Sequence, residues 1–154
     1  MEKTHIIKFQ EYNLTELSAD DKQLLDAAIE ATDTAYAPYS HFHVGAALRL
    51  ADGTIVRGSN QENIAYPSGL CAERTALFAA SAQQPGKAVK AIAIVGRNPE
   101  QALTAASPCG ACRQVMAEQE MRQKSPLRVI CYHSDDKILI FEGVGTLLPF
   151  SFSM

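Results

Sequence analysis

The chain has 154 residues, 47% of them hydrophobic and 20% charged, with a formal net charge of −3. That composition describes one globular domain over residues 1–154 with enough apolar material for a core. The mildly acidic balance, with no run of Lys or Arg, lacks the basic footprint of a duplex-binding surface and points to a small-molecule partner, not nucleic acid.

The first eight residues, Met1-Glu2-Lys3-Thr4-His5-Ile6-Ile7-Lys8, contain no apolar signal core. No stretch approaches the ~20 apolar residues of a membrane span. The chain therefore reads as cytoplasmic, with no membrane partner. A first helix is expected from Ser18, which stands at capping-box spacing from Asp21. Leu24, Ala28, Ala31 and Ala35 then repeat at helical intervals, and Pro38 closes the segment.

Val44, Ala46, Leu48 and Leu50 alternate as in a half-buried strand. Asp52-Gly53 makes a hairpin turn into a second strand through Ile55 to Gly58. A loop over 60–70 leads to a helix near Cys71, which Pro85-Gly86 ends. The apolar run 89–95 predicts a central strand covered on both faces. Ser107 reads as an N-cap and Pro108 as the first residue of a helix reaching about Met121. Residues 127–132 and 138–141 give two more strands. Five strands with interspersed helices predict an α/β fold: a three-layer α/β/α sandwich with a five-stranded mixed sheet.

The chemistry concentrates in two short segments, Cys71-Ala72-Glu73-Arg74 and Pro108-Cys109-Gly110-Ala111-Cys112-Arg113. Cys109 and Cys112 lie three apart on an expected first helical turn and so share a side. Cys71 supplies a third thiol from the other helix. Three protein ligands around one Zn²⁺ leave a fourth position for water, and Glu73 is placed to move protons there. Three thiolates leave the centre with a net charge near −1, which weakens the ion as a Lewis acid. Two helix N-termini, together with Arg74 and Arg113, are expected to offset it.

Other readings compete. A closed structural zinc site would recruit Cys131 or one of His5, His41, His43 and His133, but it leaves Glu73 without a role. A redox Cys-x-x-Cys pair needs neither a third thiol nor a glutamate. Cys131 falls in an expected buried strand and reads as an inert core thiol.

A ligand-x-Glu segment paired with Pro-Cys-x-x-Cys is the known signature of zinc nucleobase deaminases. The chain resembles the cytidine deaminase family, in its small homotetrameric form with three cysteine ligands, over roughly residues 35–152. The resemblance extends to Tyr39-Ser40-His41-Phe42-His43-Val44-Gly45-Ala46-Ala47, Asn60-Gln61-Glu62-Asn63, Tyr66-Pro67 and Leu147-Leu148-Pro149. It implies hydrolytic deamination of cytidine and deoxycytidine, one Zn²⁺ per chain on Cys71, Cys109 and Cys112, and Glu73 as the catalytic acid–base. It further implies that Asn60 and Glu62 bond the ribose, that Phe42 packs on the nucleoside, and that the backbone at Ala72 reads the pyrimidine edge. Tyr66 and Phe152 would reach a neighbouring subunit's site in a homotetramer with shared active sites.

Each substrate contact has a plainer alternative: a turn for Asn60, a solvated charge for Glu62, core packing for Phe42, and a tail packed on its own chain for Phe152. The competing functions are deamination of another nucleoside-like substrate, such as a nucleoside antibiotic, and a non-catalytic zinc-stabilised module. Two features depart from the family pattern. Ile64 stands where a small residue is usual, and about a dozen additional residues precede the compact core.

Overall fold

Ten regular elements appear along the computed structural model, which describes residues 1–154. They are β1 (Gln10–Asn13), α1 (Ala19–Ala31), β2 (His43–Leu50), β3 (Ile55–Ser59), α2 (Ala72–Gln83), β4 (Val89–Arg97), β5 (Leu103–Thr104), α3 (Gly110–Gln123), β6 (Arg128–Tyr132) and β7 (Lys137–Phe141). One sheet runs β1-β7-β6-β4-β2-β3, with β5 added beside β4. Only the β4–β6 pairing is parallel; the others are antiparallel, so the sheet is mixed. No helix is long and apolar enough to cross a membrane.

The apolar run of β4 is explained by burial on both sides. Ile92 and Ile94 join the core beneath α2 and α3, while Ala91, Ala93 and Val95 join the core beneath α1. Strand side chains alternate between faces, so a strand covered twice has no polar face to show. β2 divides likewise, with Ala46, Leu48 and Leu50 on the α2/α3 side and Ala47 on the α1 side. Each fully buried Ile or Leu of this kind stabilises the fold by about 1.5–3 kcal/mol. The result is the expected three-layer α/β/α sandwich, with α1 alone on one face.

The sheet has seven strands, not five. β1 adds an edge strand from Gln-Glu-Tyr-Asn, whose residues are mostly exposed. It has no apolar alternation to betray it. It forms because β7 offers an open edge, against which Gln10 pairs with Ile140 and Tyr12 with Ile138. β5 has only two residues and pairs with the end of β4.

α1 begins as expected, with the Ser18 side chain accepting from the Asp21 backbone N–H. The start of α3 differs. Ser107-Pro108 does not open the helix; Cys109 is its N-cap, in an extended conformation, and Gly110 is its first residue. Pro108 is buried, and its carbonyl accepts from Arg113 Nε at 2.8 Å.

Gly58 on β3 sets the depth of α2. A Cβ there would lie 2.5 Å from Ala76 N and 2.6 Å from Ala72 O. The missing side chain lets the helix that follows Cys71 lie directly on the sheet. Gly45 on β2 does the same for α1, where a Cβ would meet Ala28 O at 1.9 Å.

Candidate active site

Two helices aim their N-termini at one spot. Cys71 is the N-cap of α2 and Cys109 the N-cap of α3, and neither makes a side-chain capping bond. Ser, Thr, Asp or Asn normally fills that position, because its oxygen satisfies an orphan backbone N–H. Cysteine at both caps gives up that stabilisation and leaves two sulfurs in the positive field of two helix ends, a field that favours thiolates. Cys112, buried in the first turn of α3, completes the group.

The three Sγ atoms lie within 4.8 Å of one another, with Cys71 and Cys109 at 3.9 Å. A tetrahedral ion with metal–sulfur bonds of ~2.3 Å separates its sulfurs by about 3.8 Å. The donor set therefore fits zinc in both chemistry and spacing. The protons tell the same story. Cys71 is held down at about 5, first by a hydrogen bond from Cys112 and then by the Arg74 guanidinium. Cys112 is pushed far up by its bond to the Cys71 sulfur and by burial. Three crowded thiols cannot all ionise unless a cation takes the place of their protons.

Arg74 Nη2 lies 3.6 Å from Cys71 Sγ, and bonds to Cys71 and Cys112 hold the guanidinium above its usual value. Its positive charge offsets the excess negative charge of three thiolates. Arg113, also expected on the sulfurs, is instead bonded to Pro108 O and to Leu147 O at 3.0 Å. Cys131 is outside the cluster; burial pushes its thiol up to about 12, which keeps it protonated and inert.

Glu73 is only 4% exposed yet lines a cavity of 430 Å³ together with Cys71, Ala72, Cys109, Phe42 and Asn60. It lies outside the group of clustered ligand atoms. Burial raises its carboxyl to about 7, and the Cys71 thiolate adds to the rise. A carboxyl poised near neutrality can both take and return a proton, as general acid–base chemistry requires.

A second cavity of 520 Å³ adjoins the first, sharing Ser40, Asn60, Glu62 and Cys71 and adding Tyr39, Tyr66 and Arg74. Volumes of this size suit small molecules. Asn60 Oδ1 accepts from Val44 N at 2.8 Å, and its Nδ2 donates to Phe42 O at 2.9 Å. One amide proton and one lone pair remain for a ligand. Glu62 accepts from the backbone N–H groups of Tyr39 (2.9 Å) and Ser40 (3.3 Å) and from the Ser40 hydroxyl. The Ser40 hydroxyl is the main reason its carboxyl lies below the usual range. A carboxylate has about four acceptor sites, so one is left for a ligand hydroxyl. Phe42 lines the inner cavity with its ring against Gly96, where a Cβ would come within 2.8 Å of Cζ.

Tyr66 is 74% exposed and meets Tyr39 edge-on at 5.8 Å, on the rim of this chain's own outer cavity. Ile64 is 81% exposed and lines neither cavity. Phe152 is 73% exposed and is likewise absent from both. Ser40, which bonds Glu62 across the site, is a site residue that no motif in the sequence singles out. Its only signal was its place in the Tyr-Ser-His-Phe segment.

Residues 18–125 match the family described as the cytidine and deoxycytidylate deaminase zinc-binding region. The chain belongs to this family. Among relatives of this deaminase, the cytidine deaminase of Halalkalibacterium halodurans is 50% identical over 99 residues, 64% of this chain and 71% of that protein. The cytidine deaminase of Mycobacterium tuberculosis is 33% identical over 140 residues, 88% of this chain and 91% of that one. The crystal structure of cytidine deaminase from Burkholderia pseudomallei superposes with a TM-score of 0.72 at 44% identity, covering 84% of this chain and 97% of that chain.

Proposed function

We propose that this protein is a zinc-dependent cytidine deaminase, converting cytidine and deoxycytidine with water to uridine and deoxyuridine plus ammonia. One observation carries the reading: a buried glutamate beside a three-thiol cluster, lining a cavity that Asn60 and Glu62 also line. A structural zinc module has no use for that glutamate or that cavity.

When bound, the Zn²⁺ ion supplies Lewis acidity that activates water for attack. Cys71, Cys109 and Cys112 would hold it, and Arg74 would temper their charge. Glu73 takes one proton from the attacking water and delivers it to N3 of the base while the oxygen adds at C4. Glu73 then carries the second proton to the exocyclic nitrogen. That second proton comes from the added hydroxyl; its oxygen forms the C4=O bond as the C4–N bond breaks with its electron pair on nitrogen, and ammonia leaves. Phe42 packs on the nucleoside, the Ala72 backbone meets the pyrimidine edge, and Asn60 and Glu62 take the ribose hydroxyls.

The substrate is a free nucleoside, and all 154 residues act as one domain in the cytoplasm. Four free cysteines and the absence of a basic surface run support that reading. The exposure of Tyr36, Tyr39, Ile64, Tyr66 and Phe152 supports a homotetramer in which Phe152 and Tyr66 complete a neighbour's site.

Comparing cytidine with free cytosine tests the substrate assignment. Wild-type protein should use cytidine at least about 100-fold more efficiently, because a site built to bond a hydroxyl is left with unpaired polar groups when the hydroxyl is missing. Glu62→Gln should lower kcat/KM for cytidine and leave cytosine nearly unchanged. Equal efficiency on the two wild-type substrates would remove the ribose roles of Asn60 and Glu62.

A further inference from the structure

Immediately after the ligand Cys112, α3 grips two points of the segment that carries Phe152. Arg113 Nη1 donates to Leu147 O at 3.0 Å, while its Nε donates to Pro108 O, next to the ligand Cys109. Gln114 engages the Phe152 backbone twice: its Nε2 donates to Phe152 O at 2.9 Å, and its Oε1 accepts from Phe152 N at 3.0 Å. Paired donation and acceptance by one planar amide set both the position and the direction of the peptide it holds. The ring of Phe152 is left 73% exposed. Two residues earlier, the Phe150 ring is met by the His5 ring at 6.4 Å.

Here the backbone is tied and the aromatic ring is not, which is the reverse of a tail anchored by burying its side chains. The tie, moreover, leaves the same helix that supplies two metal ligands, two residues after Cys112. Any ring held this way keeps a fixed relation to the metal end of its own chain. An oligomer's symmetry then fixes its relation to the neighbouring site.

We propose that Gln114 is a positioning residue, which holds Phe152 so that its ring stacks on the base bound by a second copy of this chain. This rests on the reading above that Phe152 completes a neighbour's site. Gln114 touches no substrate; it acts through Phe152. Stacking needs a defined ring position, so releasing the backbone weakens nucleoside binding without altering proton transfer at Glu73.

The test is a double-mutant cycle on KM and kcat for cytidine, using Gln114→Ala, Phe152→Ala and the pair. Gln114→Ala should keep zinc and oligomer size and raise KM about 2- to 10-fold, the scale of one aromatic stack, with kcat nearly unchanged. In the Phe152→Ala background it should add nothing. Gln114→Glu is a second probe that keeps the side-chain volume. It still accepts from Phe152 N but sets a carboxylate against Phe152 O, and it too should raise KM.

An unchanged KM for both Gln114 variants, beside a raised KM for Phe152→Ala, would overturn the positioning role and leave the shared aromatic standing. So would a full additional penalty in the double mutant. The shared site is tested separately by co-expressing Glu73→Ala with Phe152→Ala. Activity in confirmed mixed oligomers above the sum of the two mutants supports sharing, and no gain there rejects it together with this inference.

Discussion

Glu73→Gln should lower turnover on cytidine by at least about 10²-fold, the low end of general acid–base catalysis, while the protein keeps one zinc per chain. The substitution preserves size and the buried position but removes the group that takes and returns the proton. Glu73 is 4% exposed, and burial holds its carboxyl at about 7. Zinc retention is expected because the three clustered ligand atoms are all sulfur. Activity should be read together with metal content. A Glu73→Gln protein that lost its zinc would make the residue structural, and one near full activity would remove the mechanism.

Replacing any one of Cys71, Cys109 and Cys112 by Ala should empty or severely weaken the metal site and abolish deamination. The cluster has no spare donor: Cys131 belongs to the packed core, and none of the four histidines joins the three thiols. Cys131→Ala should keep its zinc and its activity and lose about 1 kcal/mol of stability, the ordinary scale of a core substitution. Zinc content by elemental analysis, with thermal melts, separates the two classes. A Cys131→Ala protein without zinc would mean that the ligand assignment is wrong.

The parts of the molecule that were legible beforehand are those written in local pattern. The Ser18 cap, the Asp52-Gly53 hairpin and the doubly buried run of β4 all follow from side-chain periodicity and turn chemistry. β1 was illegible because Gln10–Asn13 has no period of its own; the open edge of β7, more than a hundred residues away, gives it partners. Ser107-Pro108 imitates a cap and first turn. The helix instead starts after Cys109, and Pro108 O accepts from the Arg113 side chain, a contact that the spacing does not reveal.

The candidate site divides the same way. Cys-x-Glu and Cys-x-x-Cys together resemble the known zinc-deaminase signature, and that resemblance names a metal and a proton carrier. The bonds from Ser40 to Glu62, from Arg113 to Leu147 and from Gln114 to Phe152 join residues 22 to 38 positions apart and leave no local trace. Two cysteines at helix caps mark where local stability was set aside for chemistry.

The most direct test follows the products from cytidine in purified protein of known zinc content. Uridine and ammonia should appear in equal amounts, at a rate proportional to the zinc bound up to one per chain. Chelation should abolish the reaction and added Zn²⁺ restore it. Fully zinc-loaded protein that leaves cytidine and deoxycytidine untouched would contradict the account.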